Sequence, residues 1–249
     1  MEDLYAFVDK YIEEMFETEA VLKTSPRGTI TKLRKKTSHQ RYICRRFSGS
    51  GDVYSALLGK RCAHLPQIYE AAYRMKIPDS CEGHGMDEMR QTIVLEEYLV
   101  GDTLAMLLQA GPLTGSQVKN ISIQLCRGLH VLHSLGWVHR DIKPENVMLC
   151  PDRVVLIDFD AARNYVSEKT KDTRVLGTVG YAPPEQYGIS ETDYRADIYA
   201  MGVLINEMLT GEHPSQVLAG GHWGRIISRC TMINPKKRYA SVHELMEAI

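Results

Sequence analysis

The run His139-Arg140-Asp141-Ile142-Lys143-Pro144-Glu145-Asn146, followed twelve residues later by Asp158-Phe159-Asp160, restricts this chain more than any other feature. It joins an acid able to accept a proton, a lysine two residues on, and an asparagine and a second acid whose oxygens suit a hard cation. Transfer of a phosphoryl group from a nucleotide requires such a set. Val154 to Ile157 is a short apolar run that delivers Asp158, so a strand end must lie close to a polar loop. Any one of these residues alone could be a turn cap; the set together points to chemistry.

Periodicity organises the rest of the chain. Leu4, Phe7, Val8, Tyr11, Ile12, Met15 and Phe16 recur at helical spacing with acids between them, which predicts an amphipathic helix that packs on its own domain or offers a docking or dimerisation face. From Ala20 to Phe47 short β-branched runs interrupted by Ser25-Pro26-Arg27-Gly28 predict strands joined by a turn. Pro78 to Arg90 reads as a surface loop; Cys81 and His84 within it lack the second pair that a zinc site needs. Thr92 to Leu99 is of strand length and carries Glu96 and Glu97, and Val100-Gly101-Asp102 after it reads as a hinge. Thr114-x-x-Gln117 opens a long helix through Val118, Ile121, Leu125, Leu129 and Leu132, ending near Gly136. Asp197 to Leu209 is a second strongly apolar helical segment. The expected organisation is α+β, with a helix over 1–20, a small β-rich part over 21–99 and a larger, mostly helical part over 100–249.

Composition narrows the partners. A net charge of −1 gives no reason to expect bulk binding to nucleic acid or anionic membrane. Six cysteines without a C-x-x-C pair suggest no disulfide framework, and no apolar run is long enough to span a bilayer, so a cytoplasmic setting is expected. The chain stops at Ile249 just after the capping-box spacing Ser241 to Glu244, which reads as a domain cut from something longer.

Further motifs follow in order: Gly177-Thr178-Val179-Gly180-Tyr181-Ala182-Pro183-Pro184-Glu185, then Asp197-Ile198-Tyr199-Ala200-Met201-Gly202, Thr210-Gly211 with Pro214, and Arg238. With the two opening motifs they resemble a eukaryotic-type Ser/Thr protein kinase domain over about Val21 to Ile249, and Tyr181 to Gly188 is similar to bacterial members. The resemblance implies a bilobal fold with ATP and Mg²⁺ as cofactors and an unknown protein as substrate. On it, Asp141 orients the substrate hydroxyl and accepts its proton, Lys143 neutralises the moving phosphoryl group, and Asn146 and Asp158 hold the metal. Thr178 would sit beside Asp141 and Lys143. Arg140 before Asp141 makes Thr170 and Thr173 candidate phosphorylation sites, and Glu185 with Arg238 is expected as a buried structural pair.

Leu22 to Ile30 aligns with the family's Gly-rich loop, but Lys23 and Ser25 replace its first two glycines and only Gly28 survives. Arg45 stands where a phosphate-anchoring lysine is usual, and Asp52 to Ala63 contains no glutamate to partner it. Aligning Glu97-Tyr98 with the hinge places Glu96 where it could pair with Arg45. Nucleotide contacts implied by the resemblance are Leu22, Gly28, Ile30, Ile43, Arg45, Glu96, Glu97, Leu99 and Met148. Asp160 replaces a usual glycine; Asp tolerates positive φ better than most residues, so the turn is expected to form but to switch less freely. Three readings stay open: an active Ser/Thr protein kinase, a pseudokinase acting as a nucleotide-binding or scaffolding module, and a small-molecule phosphotransferase.

Overall fold

Apolar residues at helical spacing and then β-branched alternation build the first part of the chain. In the computed structural model, which describes residues 4–75, 90–165, 180–187 and 193–249, this part is a helix, α1 (Leu4–Met15), followed by strands β1 (Phe16–Ser25), β2 (Gly28–Lys35) and β3 (Arg41–Ser48). A six-residue helix, α2 (Asp52–Leu57), and strands β4 (Ile68–Met75) and β5 (Arg90–Glu97) complete it. The strands form one antiparallel sheet in the order β1-β2-β3-β5-β4. The β1–β2 turn closes tightly, with Ser25 paired to Gly28 and the Ser25 hydroxyl donating to Gly28 O at 3.2 Å.

The stripe that α1 buries differs from the one its spacing predicts. Tyr5, Val8 and Ile12 face a sheet surface made by Leu33, Tyr42, Cys44, Ala72, Ile93 and Leu95, with Tyr11 and Met15 at the margin. Leu4 and Phe7 are 61% and 57% exposed, and Phe16 already belongs to β1. The reason is rotational: at 100° per residue the buried three share an arc that Tyr5 joins and Phe7 leaves. Their burial contributes on the order of 5 kcal/mol. Lys36 Nζ donates to the carbonyls of Glu13 and Glu14 at 3.0 and 2.7 Å, which satisfies the exposed acceptors at the end of α1.

The second unit contains Cys62–Leu65 and Val100–Ile249. It begins with β6 (Asp102–Thr103), α3 (Leu104–Leu108) and α4 (Gly115–Ser134). The Thr114 capping box is formed in both directions, with Thr114 Oγ1 accepting from Gln117 N and Gln117 Oε1 from Thr114 N. Val118, Ile121, Leu125, Leu129 and Leu132 are all buried. After Gly136, whose φ of 80° ends the helix in a left-handed turn, come β7 (Trp137–Val138), β8 (Val147–Leu149), β9 (Val154–Leu156) and β10 (Arg163–Asn164). β6, β8 and β9 form one small sheet, and β7 pairs with β10.

Helices α5 (Arg195–Thr210), α6 (Gly221–Cys230) and α7 (Val242–Ala248) follow. α5 is apolar nearly all round and buried accordingly, which makes it the core helix of this unit. The sequence reading kept 21–99 together, yet Cys62–Leu65 belongs to the larger unit. His64 O accepts from Leu156 N at 3.0 Å and His64 Nδ1 donates to Val154 O at 3.0 Å, so this short segment pairs with β9. Among the described residues, no helix is long and apolar enough to cross a membrane. The loop expected from Pro78, Cys81 and His84 within it, and Thr170, Thr173 and Thr178 lie outside the described residues.

Candidate active site

The polar loop sits between β7 and β8, and one buried acid fixes it from beneath. Asp197, in the first turn of α5, is fully buried and accepts from His139 N and Arg140 N, each at 2.9 Å, and from His133 Nε2 at 2.8 Å. Burial alone would raise its pKa. The hydrogen bonds from the His133 side chain and the His139 amide outweigh that and hold the carboxyl below its ordinary value. The clamp holds Arg140 at a positive φ of 68°, a backbone shape that non-glycine residues rarely adopt.

His139 is buried with its tautomer set from both sides. Its Nδ1 accepts from Asp141 N at 3.3 Å and its Nε2 donates to Ile157 O at 3.2 Å. Burial pushes its pKa down despite nearby carboxylates, so the ring is neutral. The ring meets Phe159 edge-on, with centroids 5.5 Å apart, which ties the loop to the segment after β9.

On this support the Asp141 carboxylate meets Asn146 and Lys143. Asn146 Nδ2 donates to Asp141 O at 2.8 Å and to Asp141 Oδ2 at 2.9 Å, while Lys143 Nζ lies 2.8 Å from Asp141 Oδ2. Asp141 and Lys143 are half-buried, and Asn146 is buried in a short 3-10 turn, Pro144–Asn146. Because the Asn146 nitrogen is committed to Asp141, its carbonyl oxygen is the atom presented for a cation. Ile157 N donates to Asn146 O at 2.9 Å, which places Asp158 one residue from that contact. The Asn146 and Asp158 side chains carry hard oxygens of the kind that suits Mg²⁺, which takes few protein ligands and keeps water or phosphate oxygens for the rest.

Asp158, and not Asp160, has the positive φ, 68°, and Asp160 is exposed. The chain reverses on leaving β9, where Ala162 N donates to Phe159 O at 2.9 Å, so the strained residue falls at the strand exit. Short polar Asp side chains tolerate that geometry better than most.

Two buried contacts anchor the segment after Gly180. Gln186 Nε2 donates to Arg140 O at 2.9 Å. Arg238 Nη1 and Nη2 donate to the two Glu185 oxygens, the second at 3.0 Å, and Arg238 also donates to the carbonyls of Arg195 and Met232. The expected architectural pair is thus present. Sequence reasoning gave no function to Asp197, His133 or Gln186. Asp197 stood out only as the first residue of a motif similar to a structural landmark of the family, with no partner assigned to it.

In the small unit Arg45 and Glu96 meet on adjacent strands. Arg45 Nε donates to Glu96 Oε1 at 2.7 Å, and both side chains are buried. Ile30 lies opposite Arg45, and Ile43 opposite Glu96, so these four share one sheet face, opposite to the one α1 covers. Glu97 exchanges hydrogen bonds with Gln67. Leu22 is 53% exposed, Leu99 follows β5 half-buried, and Met148 lies half-buried on β8. Gly28 has a steric role: a methyl there would come within 2.6 Å of Phe47 Cα, so its absence lets β2 and β3 close up.

A small antiparallel sheet carrying a buried cation, and a helical unit presenting Asp141, Lys143 and Asn146 on a clamped loop, define the architecture of protein kinase domains. The sequence profile described as Protein kinase domain matches residues 82–247, and the chain belongs to this family. That match starts at residue 82, so for the strands from Val21 the resemblance rests on sheet order and on Arg45. The chain is 34% identical over 174 residues to "Serine/threonine-protein kinase A" of Synechocystis sp., a match covering 64% of this chain and 31% of the relative. It is 34% identical over 184 residues to "Serine/threonine-protein kinase PknA" of Nostoc sp., covering 64% and 32%. "Serine/threonine-protein kinase PknE" of Mycobacterium tuberculosis is 33% identical over 172 residues, covering 66% and 30%. The chain therefore spans only about a third of the length of these curated relatives.

Proposed function

We propose that this chain transfers the γ-phosphoryl group of ATP to serine or threonine hydroxyls of a protein. The observation that carries the proposal is the Asp141 carboxylate, fixed by Asn146 and Lys143 on a loop that Asp197 clamps. Asp141 orients the incoming hydroxyl and takes its proton, and Lys143, already beside that carboxylate, offsets charge on the transferring group. Asn146 and Asp158 would hold Mg²⁺, which when bound neutralises the nucleotide phosphates. On the small unit Arg45 is assigned to those phosphates and Leu22, Gly28, Ile30, Ile43, Glu96, Glu97 and Leu99 to nucleotide contact, and on the large unit Met148 is assigned to nucleotide contact. Thr178, which lies outside the described residues, joins the catalytic set on the family resemblance alone.

A cytoplasmic setting is part of the proposal, supported by the free state of the cysteines among the described residues. The protein substrate is unassigned, and the exposed Leu4 and Phe7 are candidates for a docking or dimerisation face. The test is transfer of labelled phosphate from Mg·ATP to the chain itself and to a generic protein substrate. Transfer abolished by Asp141→Asn supports the assignment. Nucleotide binding without transfer supports a pseudokinase, a reading that Arg45 and the missing glycines favour; transfer only to a small metabolite supports a small-molecule phosphotransferase.

A further inference from the structure

We propose that Glu96 is the positioning residue for Arg45, so that the phosphate-anchoring cation is set by the sheet and is independent of helix α2. This rests on the nucleotide-binding reading above.

Asp52 is the sole acid between Asp52 and Ala63, and it stands in the first turn of α2. Its oxygens are taken by Arg90 Nη1 at 3.1 and 3.0 Å, at an exposed site. The rest of α2 buries Val53, Tyr54 and Leu57, so the helix serves as packing. No carboxylate from α2 therefore holds Arg45.

Glu96 does so instead, from within the same sheet. β3 and β5 are hydrogen-bonded neighbours, with Ile43 opposite Glu96 and Arg45 opposite Val94. The two side chains thus stand diagonally on one face, a separation long side chains can span. The Nε–Oε1 contact of 2.7 Å is charge-assisted and shielded from solvent. Because both backbones belong to one ladder, no rigid-body shift of α2 can open or close the contact.

Two consequences distinguish this arrangement. The family's usual lysine would fail here, since its compact ammonium on a flexible stem does not reproduce the guanidinium fork that meets Glu96 through Nε. Arg45→Lys, nominally a restoration, should weaken nucleotide binding. Removing the acid of α2, by contrast, should leave it unchanged.

The experiment measures Mg·ADP affinity by calorimetry and KM and kcat for ATP on the intact chain. Expected results are about a tenfold or larger loss of affinity in Glu96→Gln and Arg45→Lys, a smaller loss in the charge-conserving Glu96→Asp, and none in Asp52→Ala. In the Glu96 variants the change should fall mainly on KM. Urea unfolding of each variant establishes that it is folded, and Glu96→Asp keeps the test open should Glu96→Gln fail to fold. Wild-type binding that Glu96→Gln and Glu96→Asp leave intact, or that Asp52→Ala abolishes, overturns the role of Glu96 alone. A wild-type chain that binds no Mg·ADP overturns this proposal together with the nucleotide reading.

Discussion

Replacing Asp197 with Asn should destabilise the large unit and disable the loop above it. Wild-type Asp197 accepts from His139 N, Arg140 N and His133 Nε2 at 2.9, 2.9 and 2.8 Å. The best orientation of an Asn keeps its carbonyl toward His139 N and His133 and turns its NH₂ toward Arg140 N. One buried N–H then faces another donor, which costs about 1–3 kcal/mol, and two charge-assisted bonds become neutral, losing about 1 kcal/mol each. The sum is about 3–5 kcal/mol, read as a lower urea midpoint and a Tm drop on the order of 10 °C. Transfer by the still-folded fraction should be slow at saturating ATP, because Arg140 no longer holds its left-handed turn and Asp141 follows it. pH supplies a second measurement. The folded pKa of Asp197 lies below its unfolded value, so its stabilisation is present above about pH 4 and is lost as pH falls through the folded pKa. The Asn variant should lack that portion of the acid response. A variant within 1 kcal/mol of wild type, with an unchanged rate, would refute the clamp.

Burial lowers the folded pKa of His139, so its contribution to stability is full above about pH 6.5 and declines as pH falls below it; urea midpoints at pH 7.5 and 5.5 should show a drop that His139→Asn reduces. Arg238→Met strands Glu185 as a buried charge and should cost about 3–5 kcal/mol, whereas the joint change with Glu185→Leu should recover much of it in a double-mutant cycle. Gly28→Ala forces β2 from β3 and should cost about 1–3 kcal/mol by chemical denaturation. Thr114→Ala removes the α4 cap and should cost about 1 kcal/mol by the same assay.

What could be read from the chain beforehand depended on how local the cause was. The α4 cap and stripe were legible because a helix terminus and a 3.6-residue period are written in adjacent residues. Arg45 and Glu96 are 51 residues apart, yet their pairing was accessible because the hinge alignment fixed the strand register. The face of α1 was misjudged at Leu4 and Phe7, since two apolar arcs compete on so short a helix and only the sheet beneath decides between them. The left-handed turn at Asp158 was not legible, because it depends on where the chain reverses after β9. Asp197 was hidden for a similar reason: its three donors come from elements that meet it only after folding.

The excursion of Cys62–Leu65 into the larger unit bears on how this molecule can be dissected. A fragment beginning at residue 100 would lose His64, leaving the Leu156 amide and the Val154 carbonyl of β9 without their partners and uncovering Gly128, against which His64 packs. An unpaired strand edge of that kind invites pairing with another chain. A fragment starting at residue 100 would thus be aggregation-prone, and a soluble form of the larger unit would need the 62–65 tetrapeptide supplied in cis.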